Sequence, residues 1–225
     1  RTRLRTLEAL DAGGRPTAHG RAIARLPLPP RLGHMLVRAG ERGLADVAAR
    51  VAVLLGERGL GGNDPDLELR IRRWRSERGQ RADAARRLAA RWARLVPGAD
   101  GAGDGGTAPG EMAEAVAICV ALAFPDRVAR RRDASGEHWA SVGGRGFRLD
   151  PTSTLARAEW LAVAQTQGAA SGARILSAVQ IDADAVAALF AHRIETRRSV
   201  TFDAATGVVA AVRERRLGAV RLSAG

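Results

Sequence analysis

The chain has 225 residues, is 46% hydrophobic and 27% charged, and carries 36 basic against 24 acidic side chains for a net charge of +12. That apolar content excludes wholesale disorder, and the length suits one large domain or two to three small ones. A lone Cys119 excludes an intramolecular disulfide framework, no Cys/His spacing points to zinc, and no apolar run is long enough to span a bilayer. Nothing at the start reads as a secretory leader, so a soluble cytoplasmic protein without membrane contact is expected. The basic excess points to polyanions, nucleic acid ahead of an anionic membrane. Every basic residue is Arg, Tyr is absent and Asn63 is the sole asparagine, so the preference for Arg over Lys reflects composition. The sign and placement of the charge remain informative. Residues 1–50 hold ten Arg against four acids, half the net charge.

Leu4, Leu7 and Leu10 recur at helical spacing until Asp11-Ala12-Gly13-Gly14 turns the chain. Thr17 is placed to cap a helix over 19–26 that Pro27 ends, and Pro29-Pro30 opens another over 31–39. Residues 44–55 place Leu44, Val47, Ala48, Val51, Leu54 and Leu55 on one stripe, the pattern of an amphipathic helix. After Pro65 a further helix carries Leu67, Ile71 and Trp74 on one side, with Arg70, Arg72, Arg73 and Arg75 on the remainder. Residues 82–96 predict a helix with a seam of Ala85, Leu88, Trp92 and Leu95. The Gly, Ala and Asp of 97–110 predict a mobile loop, and 112–124, apolar nearly all round, predicts the central helix of a bundle.

Past Phe124-Pro125 the pattern changes. A basic run at 127–132 precedes short predicted strands at 138–142, 147–149, 160–165 and 174–181, with turns at Gly143-Gly144-Arg145-Gly146 and 168–172. A helix over 184–192 follows, then closing strands at 200–202, 208–213 and 220–222, with Ala205-Thr206-Gly207 as a hairpin turn. The expected fold is α+β and multidomain. It is helical to about residue 125 and then a small barrel or open sheet, of the oligonucleotide-binding (OB) type.

With no lysine in the chain, a phosphate-binding loop ending in Lys-Ser/Thr cannot exist here, so no nucleotide-hydrolysing core and no catalytic residue are expected. His19, His34, His138 and His192 are scattered and read as partly buried or surface residues; no metal site is expected. Cys119, inside the apolar helix, reads as inert. Trp74 and Trp92 read as core, and Trp139 as core ahead of a base-stacking platform. The Arg127, Arg130, Arg131 and Arg132 cluster has two open readings, phosphate contact or a solvated helix end.

Several phrases go beyond periodicity. Gly14-Arg15-Pro16-Thr17 and Gly20-Arg21-Ala22-Ile23-Ala24-Arg25-Leu26-Pro27-Leu28-Pro29-Pro30-Arg31-Leu32-Gly33-His34-Met35-Leu36 resemble the segment that follows the motor domains of DEAH-box helicases. Ala123-Phe124-Pro125-Asp126-Arg127-Val128-Ala129-Arg130-Arg131 resembles the segment closing their helical bundle. Arg145-Gly146 and Arg213-Glu214-Arg215-Arg216-Leu217-Gly218 resemble the bacterial HrpB branch. His138 departs from the aromatic hydroxyl residue common at its position.

The resemblance implies three parts: the end of a winged-helix domain (1–28), a helical ratchet or HA2-like bundle (29–125) and an OB-like β-barrel (126–225). It implies RecA-like motor domains upstream in the same protein, which would bind ATP and Mg; no cofactor is expected in this fragment. Single-stranded RNA or DNA is the expected partner, with a protein regulator as the alternative. A free-standing winged-helix regulator would need more than 1–28 to build its helix-turn-helix. Arg31, His34 one turn later, Arg127, Arg130, Arg131, Arg145 and Arg148 are the expected strand-positioning residues. The competing reading has Arg31 anchor the proline turn and the junction arginines pair with Asp126, Asp133 or Glu137.

Overall fold

The computed structural model describes residues 2–98, 109–169, 171–203 and 208–224. Most of the loop expected at 97–110, and the turn expected at Ala205-Thr206-Gly207, lie outside the described residues. The first half is helical: α1 (Thr2–Thr6), α2 (Ala18–Ala24), α3 (Pro30–Gly40), α4 (Ala45–Gly56), α5 (Leu67–Ser76), α6 (Gln80–Ala93) and α7 (Pro109–Ala123). Thr17 caps α2 as its sequence position implies, its Oγ accepting from the Gly20 N–H at 2.9 Å. The same hydroxyl donates to the Glu8 carbonyl at 2.7 Å and so ties the cap to the preceding turn.

Three local expectations are corrected. The helix expected through Leu10 ends at Thr6, because the chain reverses at Glu8 (φ 56°) and Leu10 bridges to Pro16. On α6 the buried seam is Ala82, Ala85, Ala89 and Ala93; Leu88 and Trp92 are half-buried and Leu95 is exposed beyond the helix end. Small side chains let α6 lie close on α4, so the larger residues are pushed to its margins. Arg70, expected away from the apolar side of its helix, is buried at 6% exposure beside Ile71.

The second half begins with a strand inside the basic run. β1 (Val128–Arg131), β2 (His138–Ser141), β3 (Gly146–Arg148), β4 (Trp160–Gln167) and β5 (Ser171–Gln180) close a five-stranded barrel in the order β1-β2-β3-β5-β4. The β3–β5 pair is parallel and the other pairs are antiparallel. Ala129, Trp139, Phe147, Leu161, Val163 and Ile175 belong to the cluster that fills the barrel. After α8 (Ala183–Leu189), β6 (Ile194–Asp203), β7 (Val208–Leu217) and β8 (Val220–Ala224) form a separate antiparallel sheet. The last strands therefore do not close the barrel, because β1 already supplies its fifth strand.

Bundle and barrel share a core. α7 packs against α3, α4 and α5 as well as β4 and β5, and Trp160, Ala162, Ala164 and Val179 join the same apolar cluster as the helices. Cys119 on α7 is fully buried, which pushes its thiol up to about 12 and keeps it protonated. Polar bonds reinforce the joint. The Ala178 N–H donates to the Pro65 carbonyl at 2.8 Å. Arg70 donates to the Leu60 carbonyl and to Ser177 Oγ at 3.3 Å; Ser177 Oγ donates to Gln165 Oε1 at 3.0 Å, and Gln165 Nε2 to the Leu55 carbonyl at 3.1 Å. No helix among the described residues is long and apolar enough to cross a membrane.

Candidate nucleic-acid interface

Side chains alternate along a strand, so with Ala129, Trp139 and Phe147 inside the barrel their neighbours face outward. Arg130, Ala140 and Gly146 pair across β1, β2 and β3 in one outward row. His138, Arg148 and Arg174 pair across β2, β3 and β5 in the next. Ala140 and Gly146 make a low floor, and the arginines stand around it.

From Ala140 the wall drops into a cleft of about 790 Å³ against β8, lined by Arg130, Arg131, Arg132 and Arg221 with Asp133 and Glu159. The β7–β8 turn is held to the wall by the Ala219 N–H, which donates to the Val142 carbonyl at 2.9 Å. Gly218 permits this approach: its φ is +54°, and a Cβ there would lie 2.4 Å from the Val142 oxygen. Arg145 is exposed on the neighbouring 143–145 turn.

The arginines differ in how far they are committed. Arg130 donates to Glu159 Oε1 and to the Arg221 carbonyl, each at 2.8 Å, and lies over the Trp160 ring at 5.6 Å. Arg131 donates to the Ala156 and Arg157 carbonyls, and Arg148 pairs with Glu137. Asp133 is occupied by Ser135 and His138 rather than by Arg132; the Ser135 hydroxyl first, against desolvation, and then His138 and the Gly136 N–H hold its carboxyl at about 2. Arg132 and Arg145 meet no carboxylate among the described residues.

Arg31, His34 and Arg127 lie elsewhere. Arg31 grips Asp126 through two bonds, 2.6 and 3.2 Å, and donates to the Ala123 carbonyl at 3.2 Å. Burial opposes the Asp126 carboxylate, but the hydrogen bonds and charge of Arg31 outweigh it and hold the pKa below its ordinary value. Arg31 and Arg127 sit over the Phe124 ring at 5.4 and 5.0 Å, and Arg127 donates to the Ala164 carbonyl at 2.6 Å. Together they latch α3, the end of α7 and β4.

His34 is 8% exposed, with Nδ1 at 3.1 Å from the Leu7 carbonyl and 2.8 Å from His19 Nε2. A carbonyl only accepts, so Nδ1 carries the proton and His19 Nε2 accepts. Burial first, then the neighbouring His19 and Arg38, push the His34 pKa down to about 4; burial and Arg38 also lower that of His19. His34 is therefore neutral at pH 7.

Of the sequence-predicted residues, the structure brings Arg130, Arg131, Arg145 and Arg148 to the wall and its cleft, leaves Arg31 and Arg127 at the junction, and sets His34 against the first turn and α2. Of the acids named in the competing reading, Asp126 pairs with Arg31 and Glu137 with Arg148, neither arginine from the 127–132 run, and Arg130 takes Glu159 instead. Sequence reasoning misses Arg174 and Arg221, because only strand register brings them to the wall. Among the described residues no group of three His, Cys, Asp or Glu side chains is placed to hold a metal ion.

No family model matches the chain. It is 34% identical over 218 residues to the ATP-dependent RNA helicase HrpB of Escherichia coli (strain K12), a match covering 96% of this chain and 25% of that protein. It superposes on a crystal structure of the E. coli DExH-box NTPase HrpB with TM-score 0.76 and 28% identity, over 98% of this chain and 25% of that one. A crystal structure of the E. coli DEAH/RHA helicase HrpB gives TM-score 0.72 and 25% identity, over 99% and 26%. The chain thus spans about a quarter of the length of the relatives it matches.

Proposed function

We propose that this chain, which corresponds to a region of the HrpB-type DEAH-box helicases, holds a single strand of RNA or DNA by its phosphates along the barrel wall. The observation that carries this reading is the floor of Ala140 and Gly146 with Arg130 in the same row, Arg148 in the next, Arg132 in the adjoining cleft and Arg145 exposed on the turn before Gly146. A translocating motor needs a grip that releases at each step, and phosphate contacts supply one without reading bases. Trp139 takes no part in stacking; it is wholly buried, with Nε1 donating to the Gly136 carbonyl at 2.8 Å.

In this reading 1–28 is the end of a winged-helix domain, 29–125 a ratchet bundle and 126–225 an OB-like β domain whose barrel is β1–β5. The five-strand closure through a parallel β3–β5 pair supports the last assignment. RecA-like domains elsewhere in the same cytoplasmic protein bind and hydrolyse ATP with Mg; the absence of lysine leaves no phosphate-binding loop here. Arg31 and Arg127 act behind the wall by fixing the bundle to the barrel, and His34 fixes the first turn to α3. The alternative, a platform for a protein regulator, has little to rest on: Leu176, at 40% exposure, is the one exposed large apolar side chain among the described barrel residues.

The test is binding of a fluorescent single-stranded oligonucleotide across a salt series, with RNA and DNA in parallel. Affinity is expected to fall steeply with salt and to ignore sequence. Replacing Arg145 and Arg148 by Gln reduces the log–log salt slope by about 0.7 for each phosphate no longer neutralised. An unchanged slope and affinity would refute the assignment.

A further inference from the structure

The charge is concentrated where the wall is not. Residues 70–94 hold ten arginines against Glu77 and Asp83, a net +8 of the chain's +12. Composition alone does not produce this: residues 111–150 carry the same arginine bias and balance six against six. Apart from buried Arg70 and half-buried Arg86, all these arginines are exposed on α5, α6 and the adjoining turns. Carboxylates reach some of them, through Arg72–Glu68, Arg73–Asp64, Arg81–Glu57 and Arg86–Asp83.

Arg87, Arg91 and Arg94 meet no carboxylate among the described residues. Spaced i, i+4 and i+7, they form one stripe along α6 and its C-terminal cap, where like charges repel. Beside the stripe is a concavity of about 480 Å³ lined by Arg50, Arg75, Arg86 and Arg87 over Trp74, Ala89 and Ala90, with Asp46 its one acid. Arg86 is fixed there, donating to the Trp74 and Glu77 carbonyls at 2.9 Å. α6 packs on α4 rather than on the barrel.

We propose that the α5–α6 hairpin is a second phosphate-binding surface, separate from the barrel wall, that takes the phosphodiester backbone of a nucleic acid. A polyanion relieves the repulsion along the stripe, and the concavity gives a phosphate a place among several guanidiniums. A membrane does not fit, because the apolar seam of α6 is buried and, among the described residues, Leu95 is the one large apolar side chain exposed beside it. The choice of nucleic acid over an acidic protein rests on the function proposed above; the surface itself does not.

The test uses the whole chain with a labelled 25-nucleotide single strand and a 25-base-pair duplex. One variant carries Arg87→Gln, Arg91→Gln and Arg94→Gln, another Arg145→Gln and Arg148→Gln; all five sites are exposed, and circular dichroism checks the fold. The hairpin variant is expected to bind at least one of the two probes about tenfold more weakly, with a salt slope shallower by about 2. Its effect is expected to add to that of the wall variant, as for independent sites. Weaker binding by the hairpin variant with none in the wall variant upholds this site and removes the wall. Weaker binding by the wall variant alone overturns this proposal and keeps the wall. Native binding of both probes by the hairpin variant, with loss only of poly-glutamate binding, also overturns it in favour of an acidic protein partner.

Discussion

Acid is expected to loosen the corner where the first turn meets α3, and His34 sets the size of the effect. His34 is buried against the Leu7 carbonyl and His19, with Arg38, Glu8 and Glu41 as the charged groups nearby. The folded chain binds a proton there only below about pH 4, while the unfolded chain binds one below the ordinary 6.5. Between these values the unfolded state holds more protons, so stability falls as pH falls; above 6.5 neither form is protonated and the effect vanishes. A gap of about 2.5 units at 1.36 kcal/mol each amounts to about 3 kcal/mol by pH 4. That is a large share of a typical 5–15 kcal/mol total.

The assay is urea unfolding of the native chain and of His34→Asn from pH 7.5 to 4. The other titrating groups, His19 included, are present in both proteins and largely cancel in the difference. The stability difference should be constant above pH 6.5 and then shift by about 3 kcal/mol against the native chain on acidification. A flat difference, or an NMR titration of His34 near 6.5, would refute the reasoning.

Arg70→Met should lower stability by about 3 kcal/mol, because the Leu60 carbonyl and Ser177 lose their donor although a costly buried charge is also removed. In a chain of this size that is a fall in Tm of about 6–12 °C in a thermal melt; an unchanged Tm would show that the network contributes nothing. Gly218→Ala should cost about 2 kcal/mol or more, since its Cβ would collide with the Val142 carbonyl from a left-handed backbone. Amide exchange at Ala219, whose N–H bonds that carbonyl, should rise with it; unchanged protection would refute the close packing of turn on wall.

The helices are legible because 3.6-residue spacing and proline boundaries are local signals, and α3, α4 and α7 lie close to their sequence patterns. Local signals fail where a distant partner decides. α6 reads as a Leu/Trp seam, yet close packing on α4 selects its alanines. β1 is four residues long and half arginine, so it carries no apolar alternation, but it completes the barrel. Arg70 shares its spacing with exposed neighbours, and only the carbonyls of the preceding loop and Ser177 of β5 explain its burial.

The same limit applies at the wall. The run Arg130-Arg131-Arg132 is visible as charge, whereas Arg221 joins it only through the β7–β8 turn. Arg31 and His34 lie in a recognisable stretch of sequence, and what they bind, Asp126 and Leu7, is 95 and 27 residues away.

A strand held on the outer face of β1, β2 and β3 is within reach of photo-crosslinking, with a 4-thiouridine-substituted single strand bound to the native chain. Crosslinked peptides are then identified by mass spectrometry. Crosslinks are expected in residues 128–148 and around Arg221, at low salt and abolished at high salt. Crosslinks confined to other parts of the chain, with none on the barrel wall, would contradict that placement.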